Sequence, residues 1–188
     1  RRFGKSLMLS TLECIFRGKR ELFKGLAIDK LDYDWSEYPV LHFNFAGIKA
    51  KTFEAFESVF KTCLEDTFAA AKIPWDSAIS PGANFRRAIS ALVENTGKPV
   101  VVLIDEYDAP VSHALFDIKL ATDIREELSD FYIQIKNKAS DIRFMMMTGV
   151  TKFTQLSVFS ALNNLVDLTF QPEAATLLGY TEEELDQY

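Results

Sequence analysis

The chain has only two histidines, His42 and His113, and only two cysteines, Cys14 and Cys63. So few imidazoles exclude a histidine-rich metal centre. The cysteines form no CxxC pair and no metal-ligand spacing, and they read as two reduced, buried thiols. No apolar run approaches the ~20 residues of a membrane span, and no segment reads as a signal peptide. The expectation is a cytoplasmic protein with no membrane partner. An excess of positive charge is also lacking. The net charge is −6, which argues against a broad nucleic-acid-binding surface. Arg1, Arg2 and Lys5 still make a local basic patch at the start.

What the chain does have is the balance of a globular domain. Its 188 residues are 48% hydrophobic and 26% charged, and 16 of them are Phe. That length supports one domain with a sizeable, Phe-rich core. Residues 1–188 are expected to form that single domain and to be incomplete at both ends. No strand precedes the first helix, and Thr181 and Glu184 have the spacing of a capping box that opens a helix near the end.

Elements alternate along the chain. Leu7, Met8, Thr11, Leu12, Ile15 and Phe16 recur at helical spacing up to Gly18. Glu21 to Ile28 reads as a short helix or turn. Residues 39–45 alternate apolar and polar and predict a strand. Thr52 to Ala71 predicts an amphipathic helix with Phe53, Phe56, Phe60, Leu64 and Phe68 on one stripe. Pro74 to Gly82 reads as a loop, with Asn84 capping a helix to about Asn95 and Gly97 after its end. Val100 to Ile104 is an unbroken aliphatic run, the mark of a parallel strand buried on both faces. A helix over 120–138, a buried Met-rich strand over 142–148 and a short strand over 165–169 follow. The alternation predicts an α/β fold with a parallel sheet flanked by helices.

Two motifs carry chemistry. Gly4-Lys5-Ser6 stands directly before a helix, whose free N–H groups and positive pole suit a phosphate. Gly4 allows close backbone approach, Lys5 reaches the outer phosphates, and the Ser6 hydroxyl would ligate magnesium. Such a triplet occurs by chance in roughly one chain in ten of this size, so alone it reads equally as an ordinary helix start. The second motif is Asp105-Glu106-Tyr107-Asp108, at the C-terminal end of the aliphatic strand, where ligands of open α/β sheets bind. Asp105 would hold a hydrated magnesium ion, and Glu106 would polarise an attacking water. Asp108 reads as a supporting, structural acid. Thr148, ending the next buried strand, could sense the terminal phosphate or simply finish the strand before Gly149. Arg125 and Arg143 are candidates for a finger acting across subunits, and nothing in the sequence favours either. One strand and two long helices separate the two motifs, an arrangement that can put both on one sheet edge.

Ordered blocks along nearly the whole chain resemble the bacterial predicted AAA-ATPase family of P-loop NTPases. They are Arg1-Arg2-Phe3-Gly4-Lys5-Ser6-Leu7, Leu22-Phe23-Lys24-Gly25-Leu26, Tyr38-Pro39-Val40 and Leu103-Ile104-Asp105-Glu106-Tyr107-Asp108. Three more are Gly149-Val150-Thr151-Lys152-Phe153, residues 157–165 and residues 178–185. The resemblance implies a P-loop NTPase-type sheet here lacking the strand before the phosphate loop, which would leave neighbouring strands with unpaired edges and weaken folding and ATP binding. It implies ATP held by Arg2, Phe3, Gly4, Lys5, Ser6 and Leu7. It also implies Mg2+ on Ser6 and Asp105, Glu106 as catalytic base and Thr148 at a sensor position. Many members carry a C-terminal nuclease-like domain, which would bring nucleic acid as a partner, and homo-oligomers are a further possibility.

The leading expectation is ATP hydrolysis to ADP and phosphate, used as a switch or motor. Three rivals stand beside it: a nucleotide-binding scaffold or sensor that does not hydrolyse, a phosphotransferase acting on a small acceptor, and a non-catalytic interaction domain.

Overall fold

The computed structural model describes residues 4–150 and 165–178, together with Glu184 and Asp186. Three strands, β1 (Val40–Asn44), β2 (Val100–Asp105) and β3 (Ile142–Met147), form a parallel sheet in the order β1-β2-β3. All six residues of β2 are buried, as an aliphatic run between two strands and two helical layers requires. The register places Asn44 opposite Asp105 and Ile104 opposite Met147. The arrangement is consistent with a P-loop-type α/β fold, and among the described residues no strand precedes α1.

Among the described residues the α-helices around the sheet are α1 (Lys5–Phe16), α2 (Phe53–Ala70), α3 (Pro81–Thr96), α4 (Ala109–His113) and α5 (Ile118–Asn137). Side chains alternate across a strand. Val101 and Leu103 therefore join Val40 beneath Leu9 of α1, with Met8, Leu12, Phe16, Phe144 and Met146 partly buried around them. Val100, Val102 and Ile104 face the larger core under α2, α3 and α5. That core is Phe-rich, as the composition implies. Phe131 of α5 lies 4.4 Å from Phe85, 5.5 Å from both Phe43 and Phe60, and 6.1 Å from Phe45, ring centre to ring centre. The α2 stripe of Phe56, Phe60, Leu64 and Phe68 is fully buried.

Several expectations need correction. Ser80, not Asn84, caps α3: its Oγ accepts from Ala83 N at 3.2 Å, and Pro81 takes the first helical position. Asn84 lies one turn further in, nearly fully buried. Its Nδ2 donates to Asp76 O at 2.8 Å and its Oδ1 accepts from Asp76 N at 3.0 Å, so it fastens the preceding loop. Asp117 caps α5 through Leu120 N and starts it at Ile118. The short helix α4 was not anticipated.

No strand forms at 165–169. Asp167 Oδ1 accepts from Thr169 N at 2.9 Å, a local bond that competes with a ladder. Val166 and Leu168 are exposed, so no sheet buries them. The strand β3 is half-buried rather than buried, because among the described residues no strand pairs with its outer edge. Cys14 and Cys63 are free but only partly buried. Among α1 residues Leu9 is the one fully buried, and Leu7 is 71% exposed. Among the described residues no helix is long and apolar enough to cross a membrane. Arg2, Phe3, Thr151, Lys152 and Thr181 lie outside the described residues.

Candidate functional site

The alternation that builds the core also aims the site. Asp105 follows Val101 and Leu103 on the α1 face of β2, and Thr148 follows Phe144 and Met146 on the same face of β3. Both are nearly inaccessible, with Asp105 at 2% and Thr148 at 6% exposure. The Thr148 hydroxyl donates to Asp105 Oδ1. Thr148 N also donates to Ile104 O at 2.9 Å, and Tyr107 N donates to Thr148 O at 2.9 Å. The ladder between the two strands thus continues past their ends into the acidic turn.

The helix α1 brings the other half. Its C-terminal end meets the start of β1, where Tyr38 N donates to Phe16 O at 2.7 Å. Its N-terminus therefore points at the C-terminal edge of the sheet. Gly4 enters the helix at φ 83°, a left-handed conformation that costs glycine little. Lys5 Nζ reaches Glu106 Oε1 at 3.7 Å, with both side chains about a quarter exposed. Two motifs far apart in sequence are therefore adjacent, an arrangement that the strand and helices between them allow. Glu106 itself has φ 53°. A non-glycine residue in that region is uncommon and marks sites where the surrounding structure imposes the backbone. Tyr107 N on Thr148 O and Ala109 N on Glu106 O at 3.0 Å hold the turn on either side.

Ser6 is exposed at the second position of α1, and among the described residues no hydrogen bond joins it directly to Asp105. Leu7 is exposed on the same turn. Arg143 lies at the start of β3, the opposite edge of the sheet from Asp105, with its guanidinium 5.8 Å from the Tyr38 ring centre. Beneath the turn the Tyr132 hydroxyl donates to Tyr107 O at 3.1 Å. Burial pushes both phenols above their ordinary range, helped at Tyr107 by the Asp108 and Asp167 carboxylates. Both hydroxyls therefore stay neutral.

One polar cluster escaped the sequence reading. Glu13 Oε2 lies 2.8 Å from His42 Nδ1, and Arg17 Nε donates to Glu13 Oε1 at 2.8 Å. The hydrogen bond from His42 is the main cause that holds the Glu13 carboxyl down at about 2, against the opposing effect of burial and with further help from Arg17. The cluster clasps α1 to the edge strand β1. Its signal was there: His42 is the polar residue of an alternating strand, and it faces the side that α1 covers. Elsewhere, a shallow cleft of about 590 Å³ is lined by Arg86, Arg87 and Lys138. Arg87 is paired with Asp76 and Lys138 with Asp141, both at 2.8 Å.

A parallel α/β sheet with a helix start and a carboxylate pair meeting at its C-terminal edge is consistent with a P-loop-type fold. The chain belongs to the predicted AAA-ATPase family, whose sequence pattern matches residues 1–159. Membership suggests nucleotide binding and ATPase activity. The chain is also similar to a protein of Azotobacter chroococcum mcd 1 named "Uncharacterized protein in vnfD 5'region". The two are 38% identical over 190 residues, which covers 99% of this chain and 36% of that protein. The chain thus spans about a third of the relative's length. No solved structure matches.

Proposed function

We propose that this domain binds ATP with Mg2+ and hydrolyses it to ADP and phosphate, and that a larger protein uses the cycle as a switch or motor. The observation that carries the reading is the 3.7 Å approach of Lys5 to Glu106, beside the buried Asp105–Thr148 pair. The start of α1 offers N–H groups and a positive pole to phosphate. Arriving phosphates would draw Lys5 from Glu106 as a point charge. Glu106, so released, would accept the proton of the attacking water. Thr148 would hold Asp105 in place.

Asp105 and Ser6 are hard oxygen donors, the kind magnesium takes one or two of beside phosphates and water. These two residues would hold the ion, which would supply charge neutralisation at the phosphate oxygens. The test is phosphate release from Mg·ATP by the purified larger protein that carries this domain, and by its Glu106→Gln variant. The wild type should release phosphate, and the variant should bind nucleotide yet lose about 10²-fold or more of the rate. Binding without release by the wild type would establish a non-hydrolysing scaffold instead. Failure of Mg·ATP to raise the melting temperature would sink nucleotide binding altogether.

A further inference from the structure

Asp108 is 1% exposed, deeper than a surface acid has reason to be. It occupies the N-cap position of α4, where an aspartate ordinarily caps its own helix through the side chain. Asp108 makes no such bond. Its backbone carbonyl accepts from Ser112 N at 2.9 Å and starts the helix, while its carboxylate turns the other way. Both carboxylate oxygens accept from Val150 N at 3.2 Å. The side chain stands where the next backbone carbonyl of the ladder would be. The rungs run from Thr148 N on Ile104 O, through Tyr107 N on Thr148 O, to Val150 N on Asp108. Between the second and third rungs lies Gly149. A Cβ there would fall 2.6 Å from Asp108 Oδ1 and 2.6 Å from Tyr107 Cε1. Any side chain at position 149 would have to displace the Asp108 carboxylate or the Tyr107 ring.

We infer that Asp108 is a positioning residue that locks the acidic turn to the end of β3 and so fixes Glu106 and Thr148 relative to each other for hydrolysis. The inference rests on the ATPase reading given above. Glu106 is held in its left-handed conformation between Asp105, which is bonded to Thr148, and Tyr107–Asp108, bonded to Thr148 and Val150. Removing the last rung lets the turn relax to an ordinary backbone conformation. The base then swings off line, while the phosphate-holding elements at the start of α1 are untouched.

The experiment measures kcat for Mg·ATP, affinity for a non-hydrolysable ATP analogue, and the melting temperature. It does so for the wild type, Asp108→Ala, Asp108→Asn and Gly149→Ala. A misplacement on the order of 1 Å costs about 10²-fold in rate, so Asp108→Ala should lose at least tenfold in kcat with analogue affinity within about threefold. The Asn variant keeps an oxygen for Val150 N and should recover most of the rate. The Gly149 variant drives a methyl into the same rung and should copy the kcat loss. It also carries the test if Asp108→Ala fails to fold. Unchanged kcat in folded Asp108→Ala or Gly149→Ala overturns the inference alone. A parallel fall of kcat and analogue affinity overturns it too, because the role is then general stability. No phosphate release by the wild type overturns the ATPase reading, and the inference with it.

Discussion

Replacing Glu13 by Gln tests whether α1 is clasped to the sheet by charge. The carboxylate bridges His42 on β1 and Arg17, whose Nη2 also donates to Val40 O at 3.4 Å. Its pKa falls from the ordinary 4.5 to about 2, first through the His42 hydrogen bond, against burial, with Arg17 adding to the fall. Each tenfold change is worth about 1.4 kcal/mol, giving about 3 kcal/mol if solvent were excluded. The side chain is 26% exposed, and screening cuts the value to about 1–2 kcal/mol. For a chain of this length that is a loss of about 2–8 °C in melting temperature. The sign with pH follows from linkage. A carboxylate with a lowered folded-state pKa stabilises fully above its unfolded value and loses that stabilisation as pH falls through the folded value. The gap between wild type and variant should be flat above 4.5, and should vanish by about 2. Less than half of it should remain near pH ~3. Thermal unfolding of both proteins across that range is the assay. No gap at neutral pH, or a gap undiminished in acid, refutes the reasoning.

Phe131→Ala removes the ring that touches Phe43, Phe45, Phe60 and Phe85. Urea unfolding should show a loss of about 3–5 kcal/mol; a loss below about 1 would mean the core is not centred there. Ser80→Ala removes the cap of α3 and should cost about 1 kcal/mol, whereas Ser80→Gly should cost only a few tenths. Lys5→Ala breaks a partly exposed pair at 3.7 Å that is worth about 0–1 kcal/mol, so the melting temperature should barely move. Nucleotide affinity should nevertheless collapse in titrations, and an affinity that survives would remove Lys5 from the phosphate site.

The fold was legible where burial is symmetrical and illegible where local bonding decides. Five aliphatics in Val100–Ile104 can sit only between two covered faces, and β2 does so. The Phe53–Phe68 stripe has helical spacing, and α2 buries all of it except Phe53, which is partly buried. Asn84 misled because its residue type suits a cap, but Ser80 and Pro81 satisfied the helix start first and left the amide to bind the loop. Leu165–Thr169 misled because a short, largely apolar segment does not supply a partner strand, and Asp167 turned its side chain onto Thr169 N. The depth of β3 was overestimated for a related reason. Composition reports what a strand could bury, while its position in the sheet order determines what covers it.

The site divides along the same line. Period-two alternation, read from Val101, Leu103 and Asp105 on one strand and from Phe144, Met146 and Thr148 on the next, is enough to bring Asp105 and Thr148 to one face. That step needs no knowledge of side-chain contacts. The meeting of Lys5 with Glu106 needs only the helix direction, which the layered architecture dictates. Neither argument reaches Glu106's backbone or Asp108. A left-handed glutamate and an aspartate that declines to cap its own helix are both unfavourable choices locally. They persist because Gly149 lets β3's exit press against the turn closely enough for Val150 N to reach the carboxylate. Local rules fail at the turn that, on the reading proposed above, would set Glu106 against the Thr148 hydroxyl, and this is where a requirement beyond stability would put strain.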